Sequence, residues 1–314
     1  MAGSVRRKLT PANTRSRRGA DESRLTQWIL ISVAAIFVGL FLVLPLVSMF
    51  YEAFRRGPMA YFAALTQENT LDSIRYTLTI ALLVVPLNAL FGMAAAWALT
   101  RFQFRGKALL TTLIDLPFAI SPVVVGVMLI ALFGYQGWLG PWLREHDLKV
   151  VFALPGMVLA TVFVTFPFVA RELIPMMQSQ GTEPEQAALT LGASGWQVFW
   201  HVTLPSIKWA LLYGLILTTA RAMGEFGAVF VVSNRIAGEM PIPLWVDNLN
   251  ADHRGSDAFA VASLLAFLAL GTLMLKAWLE SRHQREEAAG MWITAAPVVN
   301  SGESETAFTS NTPS

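Results

Sequence analysis

The 314-residue sequence contains no cysteine, which excludes disulfide staples, thiol nucleophiles, iron–sulfur clusters and Cys-based zinc sites together. Charge is scarce as well: 14% of residues are Asp, Glu, Lys or Arg, where an ordinary soluble domain carries roughly 25%. The formal net charge is only +2, so nothing in the global balance calls for nucleic acid. The four histidines (His146, His201, His253, His283) lack the close helical spacing that metal ligation on one element needs. A phosphate-binding loop is missing too, because Gly106-Lys107 has neither the preceding glycine nor the following Ser or Thr. No nucleophile elbow is present. The chain is therefore not expected to be an enzyme, to bind ATP itself or to carry a cofactor.

What the sequence has in excess is apolar length. Hydrophobic residues make up 54% of it. A bilayer core about 30 Å thick needs about 20 mostly apolar residues in a helix rising ~1.5 Å per residue. Six stretches meet that requirement: Trp28 to Phe50, Tyr76 to Leu99, Ala108 to Phe133, Val151 to Ala170, Trp209 to Ser233 and Ala258 to Leu279. The first is longer than a secretory apolar region and no small-residue cleavage site follows it, so it reads as a retained anchor.

Lys and Arg divide unevenly between the connections, with 15 on the side of the N-terminal arm and 7 on the other. Basic residues resist translocation, so both termini are expected in the cytoplasm, with six crossings between them. This gives an all-α, multi-pass membrane protein in three parts: a basic arm over 1–27 and a tail over 280–314, both expected to be largely disordered, and a six-helix transmembrane bundle over 28–279. Pro45, Pro86, Pro117, Pro122, Pro155 and Pro167 fall inside spans and should kink them, either as ordinary irregularity or, at Pro117 and Pro122, as a pathway wall. Gly92 with Ala96, and Gly156 with Ala160, have the spacing for close helix contact.

The fourth connection, 171–208, is the most informative stretch. Thr182-Glu183-Pro184-Glu185 reads as a capping box opening a short helix that should stop at Gly192. Ser194-Gly195-Trp196-Gln197 reads as a second box, opening a helix through Phe199, Trp200 and Val202 that Pro205 should stop or kink. The result is a small helix–turn–helix with an Ala-rich face and an aromatic face. It either docks into a partner's groove or lies on the headgroups.

Asp115, Arg221 and Glu225 are the ionisable residues well inside the spans, and each needs a partner at that depth. Arg221 and Glu225 are one turn apart on one face. They form either a structural ion pair or a pathway element in which Glu225 holds the Arg221 guanidinium fork in place. Asp115 should cap backbone groups freed by Pro117. The outer connections, Tyr51 to Arg75 and Asn234 to Asp257, are candidates for partner contact.

The run Gln186-Ala187-Ala188, then Gly192, then Val202-Thr203-Leu204-Pro205 resembles the EAA loop of bacterial ABC importer permeases. The family's leading glutamate falls on Gln186, with Glu185 one position earlier. Ser121 to Gly126, Phe152 to Pro175 and Ala220 to Ala228 extend the likeness, over roughly Thr70 to Leu279, to the CysW family of sulfate/thiosulfate permease subunits.

The resemblance implies a type I, MetI-like permease fold in the cell inner (cytoplasmic) membrane. It also implies partners: a CysT-type permease subunit, two CysA-type ATPase subunits that bind the ATP, and a periplasmic sulfate/thiosulfate-binding protein. Glu185, Gln186, Ala187, Ala188, Gly192, Leu204 and Pro205 would then couple to the ATPase. A molybdate or other oxyanion permease of the same superfamily is the alternative within the class. An ATP-independent secondary transporter or channel is the alternative outside it, although no inverted internal symmetry is visible.

Overall fold

The computed structural model describes the backbone over 24–294 and side chains over 25–282. The parts of the arm and tail expected to be disordered at 1–23 and 295–314 lie outside the described residues. Every described element is helical, and no strand occurs among the described residues.

Two compact units are present. The first, residues 1–51, contributes the long apolar helix α1 (Leu25–Phe54), whose last residues belong to the second unit. A π turn at Gly39–Val43 interrupts α1, with the Leu44 N–H donating to the Gly39 carbonyl just before Pro45. A proline removes one backbone donor and crowds the preceding turn, and a wider turn relieves that crowding.

The second unit runs through α2 (Pro58–Leu65), α3 (Glu68–Arg101), α4 (Lys107–Ala119), α5 (Pro122–Phe133), α6 (Gly140–Glu145), α7 (Leu154–Gln180) and α8 (Glu183–Thr190). It continues with α9 (Gly195–Met223), α10 (Gly227–Val232), α11 (Ile242–Ala251) and α12 (Gly255–Thr294). Among the described residues five helices are long and apolar enough to cross a bilayer, and α4 with α5 makes a sixth crossing when the bent pair is taken as one broken span.

Helix α7 is the central post, packed by α3, α4, α5, α9 and α10. Lipid tails are as apolar as leucine, so close van der Waals fit rather than escape from water must hold these helices together. Val169 provides that fit. A Cβ on Gly92 of α3 would sit 2.6 Å from the Val169 Cβ, and one on Gly214 of α9 would sit 3.0 Å from its Cα. Ala96, Leu173, Met177, Ile207 and Ala210 close around the same point. Gly156 does not do the helix-packing work its spacing predicted: its missing Cβ makes room for the Val150 carbonyl in the preceding loop.

Several expected boundaries change. The third span breaks by 110° between α4 and α5, with Pro122 starting the second piece rather than kinking a continuous helix. The pair nevertheless stays beside α7 and the loop before it: Ile114 packs with Ala170, Phe118 lies 5.3 Å from Phe168, and Phe133 borders a cavity shared with Val150, Val151 and Phe152. Pro155 likewise sits in the first turn of α7, where its missing N–H costs little, while Pro86 and Pro167 lie inside unbroken helices.

Helix α7 extends to Gln180, so Arg171 stands on a helix and the fourth connection is shorter than 171–208. Pro205 does not stop its helix. A π turn at Phe199–Thr203, in which the Leu204 N–H donates to the Phe199 carbonyl, absorbs it, and α9 runs on unbroken to Met223. The fifth span breaks instead at Gly224–Phe226, and the sixth continues past Leu279 to Thr294.

At the end of the bundle opposite α8, parts of the two outer connections are packed down. The Trp245 indole donates to Thr70 (3.0 Å), the Ile242 N–H donates to Thr77 (2.8 Å), and Tyr61 and Ser263 share a hydrogen bond of 2.9 Å. Met59, Phe62 and Ile236 remain exposed there.

The close approach at Val169 is testable. Gly92→Ala should lower stability by about 1–3 kcal/mol, the usual cost of overpacking. Gly271→Ala, on α12 with open space around it, should be neutral or stabilising by up to ~1 kcal/mol. Thermal unfolding of both variants in detergent would check this, and equal melting temperatures would refute the packing argument.

Candidate functional site

Two regions combine polar chemistry with unusual backbone. The first is the α8 end. Helix α8 starts with Pro184 in its first turn, and Gly192 follows it at a φ of +90°, a conformation that L side chains rarely adopt. The second expected capping box forms in full: the Gln197 N–H donates to Ser194 Oγ (3.4 Å) and the Ser194 N–H to Gln197 Oε1 (2.8 Å). The first does not form. Thr182 makes no cap bond and instead accepts a hydrogen bond from Gln186 Nε2 (3.0 Å).

The carboxylate needed for that first box is engaged elsewhere. Arg101 Nη2 donates to Glu185 Oε1 (2.9 Å), and Thr203 Oγ1 donates to the same oxygen (2.9 Å). Arg101 Nε lies 2.9 Å from Oε2, close enough for ion pairing but too poorly aligned for a hydrogen bond. Arg101 Nη1 donates to the Met177 carbonyl (3.0 Å).

Of the predicted coupling residues, Gln186, Ala187, Gly192 and Pro205 are exposed, while Glu185, Ala188 and Leu204 are half-buried. Leu189, Leu191 and Trp196 are also exposed, Leu191 almost completely. The aromatic face is divided. Phe199 packs on Trp97 of α3, with ring centroids 5.5 Å apart, and leaves Trp196 and Trp200 outward.

The second region lies deeper in the bundle. Arg221 Nη1 sits 2.7 Å from Glu225 Oε2, as the spacing predicted, and the Glu225 side chain is only 1% exposed. Glu225 stands in the break between α9 and α10 rather than on a helix, and its Oε1 accepts from the Ala228 N–H (2.9 Å), satisfying an orphan donor at the start of α10.

The stretches Ser121 to Gly126 and Ala220 to Ala228 meet here. A Cβ on Gly126 would lie 2.6 Å from the Val231 Cβ and 2.9 Å from the Ala228 carbonyl oxygen, and one on Gly227 would lie 3.1 Å from the Pro122 Cβ. The two broken spans thus touch beside their breaks. Asp115 does not cap the turn at Pro117; it pairs with Arg171 at 2.9 Å, and the Arg171 guanidinium lies 4.3 Å from the Phe118 ring.

Sequence reasoning missed Arg101 and Arg171. Arg171 had a usable signal, since the apolar pattern from Phe152 continues through it to Pro175. Arg101 had none, because its partner is 84 positions away. A buried Asn88–Thr165 hydrogen bond (2.6 Å) between α3 and α7 was also unforeseen.

Comparison with known proteins gives a consistent result. The family model for "Binding-protein-dependent transport system inner membrane component" matches residues 88–284. The sulfate transport system permease protein CysW of Synechococcus elongatus is 50% identical over 270 residues, covering 85% of this chain and 94% of the relative. CysW of Escherichia coli K12 is 48% identical over 262 residues, covering 83% and 90%. A crystal structure of a bacterial alginate ABC transporter in complex with alginate pentasaccharide-bound periplasmic protein contains a chain that superposes with a TM-score of 0.68. At 18% identity, covering 83% of this chain and 94% of that one, it shares the fold.

The Glu225 geometry predicts a graded response. Glu225→Ala strips Arg221 of its partner and leaves the Ala228 N–H unmet, and should cost about 2–4 kcal/mol. Glu225→Gln keeps an amide oxygen for Ala228 and should cost about half as much. Unfolding in detergent measures both, and identical losses would show that the Ala228 bond contributes nothing.

Proposed function

This chain belongs to the family of binding-protein-dependent transport system inner membrane components, among the CysW-type sulfate permeases, and from that membership we propose that it forms one half of the membrane pathway of an ATP-driven sulfate/thiosulfate importer. Its partners in this reading are a CysT-type permease subunit, two CysA-type ATPase subunits and a periplasmic sulfate/thiosulfate-binding protein. Both termini and the α8 end face the cytoplasm of a cell whose inner membrane holds the complex.

One observation supports the pathway reading: charged side chains on the packed helices of the bundle are half exposed. Asp115 and Arg171 retain 45% and 54% of their side-chain exposure. Arg171 stands about 14 Å in from the Gln180 end of α7, at ~1.5 Å per residue. A charge facing lipid near the bilayer centre costs about 2.5–3.5 kcal/mol, so this face calls for protein or water over it. A second permease subunit and the anion pathway supply both. Arg221 is also partly exposed, at 35%, and offers a fixed positive fork to a tetrahedral dianion while Glu225 holds it in place.

Helix α8 and the turn after it dock in the ATPase, because Leu189, Leu191 and Trp196 form an apolar surface outside the bundle that calls for a partner. Closure of the ATPase dimer on ATP then moves α8, and the bundle opens alternately outward and inward around its broken spans. Non-helical backbone at membrane depth is tolerated only where protein buries it or water lines it, which suits the breaks at 120–121 and 224–226 to a pathway wall.

The test is reconstituted uptake in liposomes with sulfate, thiosulfate and molybdate in competition. ATP-dependent sulfate uptake is expected, with thiosulfate competing. Preference for molybdate would move the chain to another oxyanion, and uptake driven by an ion gradient without the ATPase would overturn the reading. Arg221→Gln should lower uptake about tenfold, equivalent to ~1.4 kcal/mol at the barrier, with assembly intact; unchanged uptake would reduce the pair to a structural role. Ala188→Cys should crosslink to a cysteine in the ATPase cleft, and an assembled complex that fails to crosslink would refute the docking.

A further inference from the structure

We propose that Arg101 and Glu185 are positioning residues: a buried ion-pair clamp that fixes α8 to the ends of three core helices, so that a displacement of α8 moves those helices as one body. The inference rests on the reading that α8 receives the ATPase's motion.

Helix α8 has no buried residue, so apolar packing cannot hold it. Its inward attachment is polar. The Arg101 guanidinium sits in the last turn of α3, and its Nη1 binds the Met177 carbonyl near the C-terminal end of α7. Two helix C-termini converge there, and their unpaired carbonyls favour a cation.

Glu185 sits in the first turn of α8, where the helix N-terminus favours an anion. Its Oε1 also takes the hydroxyl hydrogen bond of Thr203, a fully buried residue in the π turn that begins α9's passage into the bundle. The pair therefore touches α3, α7, α8 and α9. Its side chains are 9% and 14% exposed, so solvent screens it little. Nearby, Gln180 Nε2 donates to the Ser206 carbonyl (2.8 Å), tying the end of α7 to α9 again.

Division of labour between neighbouring residues supports the same role. Gln186 is outward and neutral, while the carboxylate one position earlier is turned inward. A partner meets the exposed Ala and Leu surface, and the bundle holds the charge.

The experiment compares ATP hydrolysis and sulfate uptake in the same liposomes, using the complete transporter. Glu185→Gln should lower the sulfate moved per ATP at least fivefold, while ATP hydrolysis stays within twofold of wild type and the ATPase still co-purifies. Thr203→Val, which removes one hydrogen bond without removing charge, should lower the ratio two- to threefold and guards against a variant that fails to assemble. An unchanged ratio in both single variants would overturn the clamp. Parallel loss of hydrolysis, co-purification and uptake in both would overturn it too, assigning these residues to assembly. A wild-type complex without ATP-dependent uptake would instead defeat the transport reading on which the clamp rests.

Discussion

Val169 lies where two glycines let two backbones come within contact of a third, and the interior of the second unit depends on that approach. In water a cluster of buried Leu, Ile and Met side chains would be stabilised by about 1.5–3 kcal/mol each simply by leaving the solvent. In lipid that gain vanishes, and only fit and hydrogen bonding distinguish a packed bundle from separate helices. Gly92 and Gly214 supply the fit. One helical turn away the same closeness lets Asn88 reach Thr165 at 2.6 Å, a bond that a larger residue at position 92 would pull apart.

The same solvent explains how the chain treats its irregularities. Both described π turns stand immediately before a proline, at Gly39–Val43 before Pro45 and at Phe199–Thr203 before Pro205, and each lets a helix continue where a donor is missing. Where the fifth span breaks, one freed donor is met by a side chain. Glu225 accepts from Ala228, and the break it occupies packs against the other broken span through Gly126 and Gly227. Among the described residues, the two broken spans thus pack against each other beside their breaks.

Local physics was legible in the sequence, and tertiary competition was not. Length and apolarity located every long helix. Gly192 and the Ser194–Gln197 box could be read because their partners lie within four residues. The Thr182 box could not, since Glu185 had a better partner in Arg101, whose charge is buried at two converging helix ends. Prolines misled for a related reason: Pro86 and Pro167 sit in intact helices while Pro122 and Pro155 begin new ones, and residue type alone does not separate these cases. Arg171 was placed in a loop because a span was ended at about 20 residues, whereas α7 continues to Gln180.

Two further arginine–carboxylate pairs, Arg221–Glu225 and Arg171–Asp115, differ in a way that bears on the proposed transport. Glu225 is almost wholly enclosed while Arg221 keeps a third of its surface, so the carboxylate acts as a fixed counter-charge and the guanidinium faces open space. Asp115 and Arg171 are both half open, and neither is held by the surrounding bundle to the same degree. Under the proposed pathway role, an anion moving past Arg221 would meet a cation already compensated from behind, which would limit how tightly it could be held. That is what a pathway requires, since a residue that bound a dianion strongly would trap it. Under the proposed pairing with a second permease subunit, the open Asp115–Arg171 pair would be covered from the other side. High affinity would then reside outside the membrane, while the bundle contributes passage and the coupling of its helices.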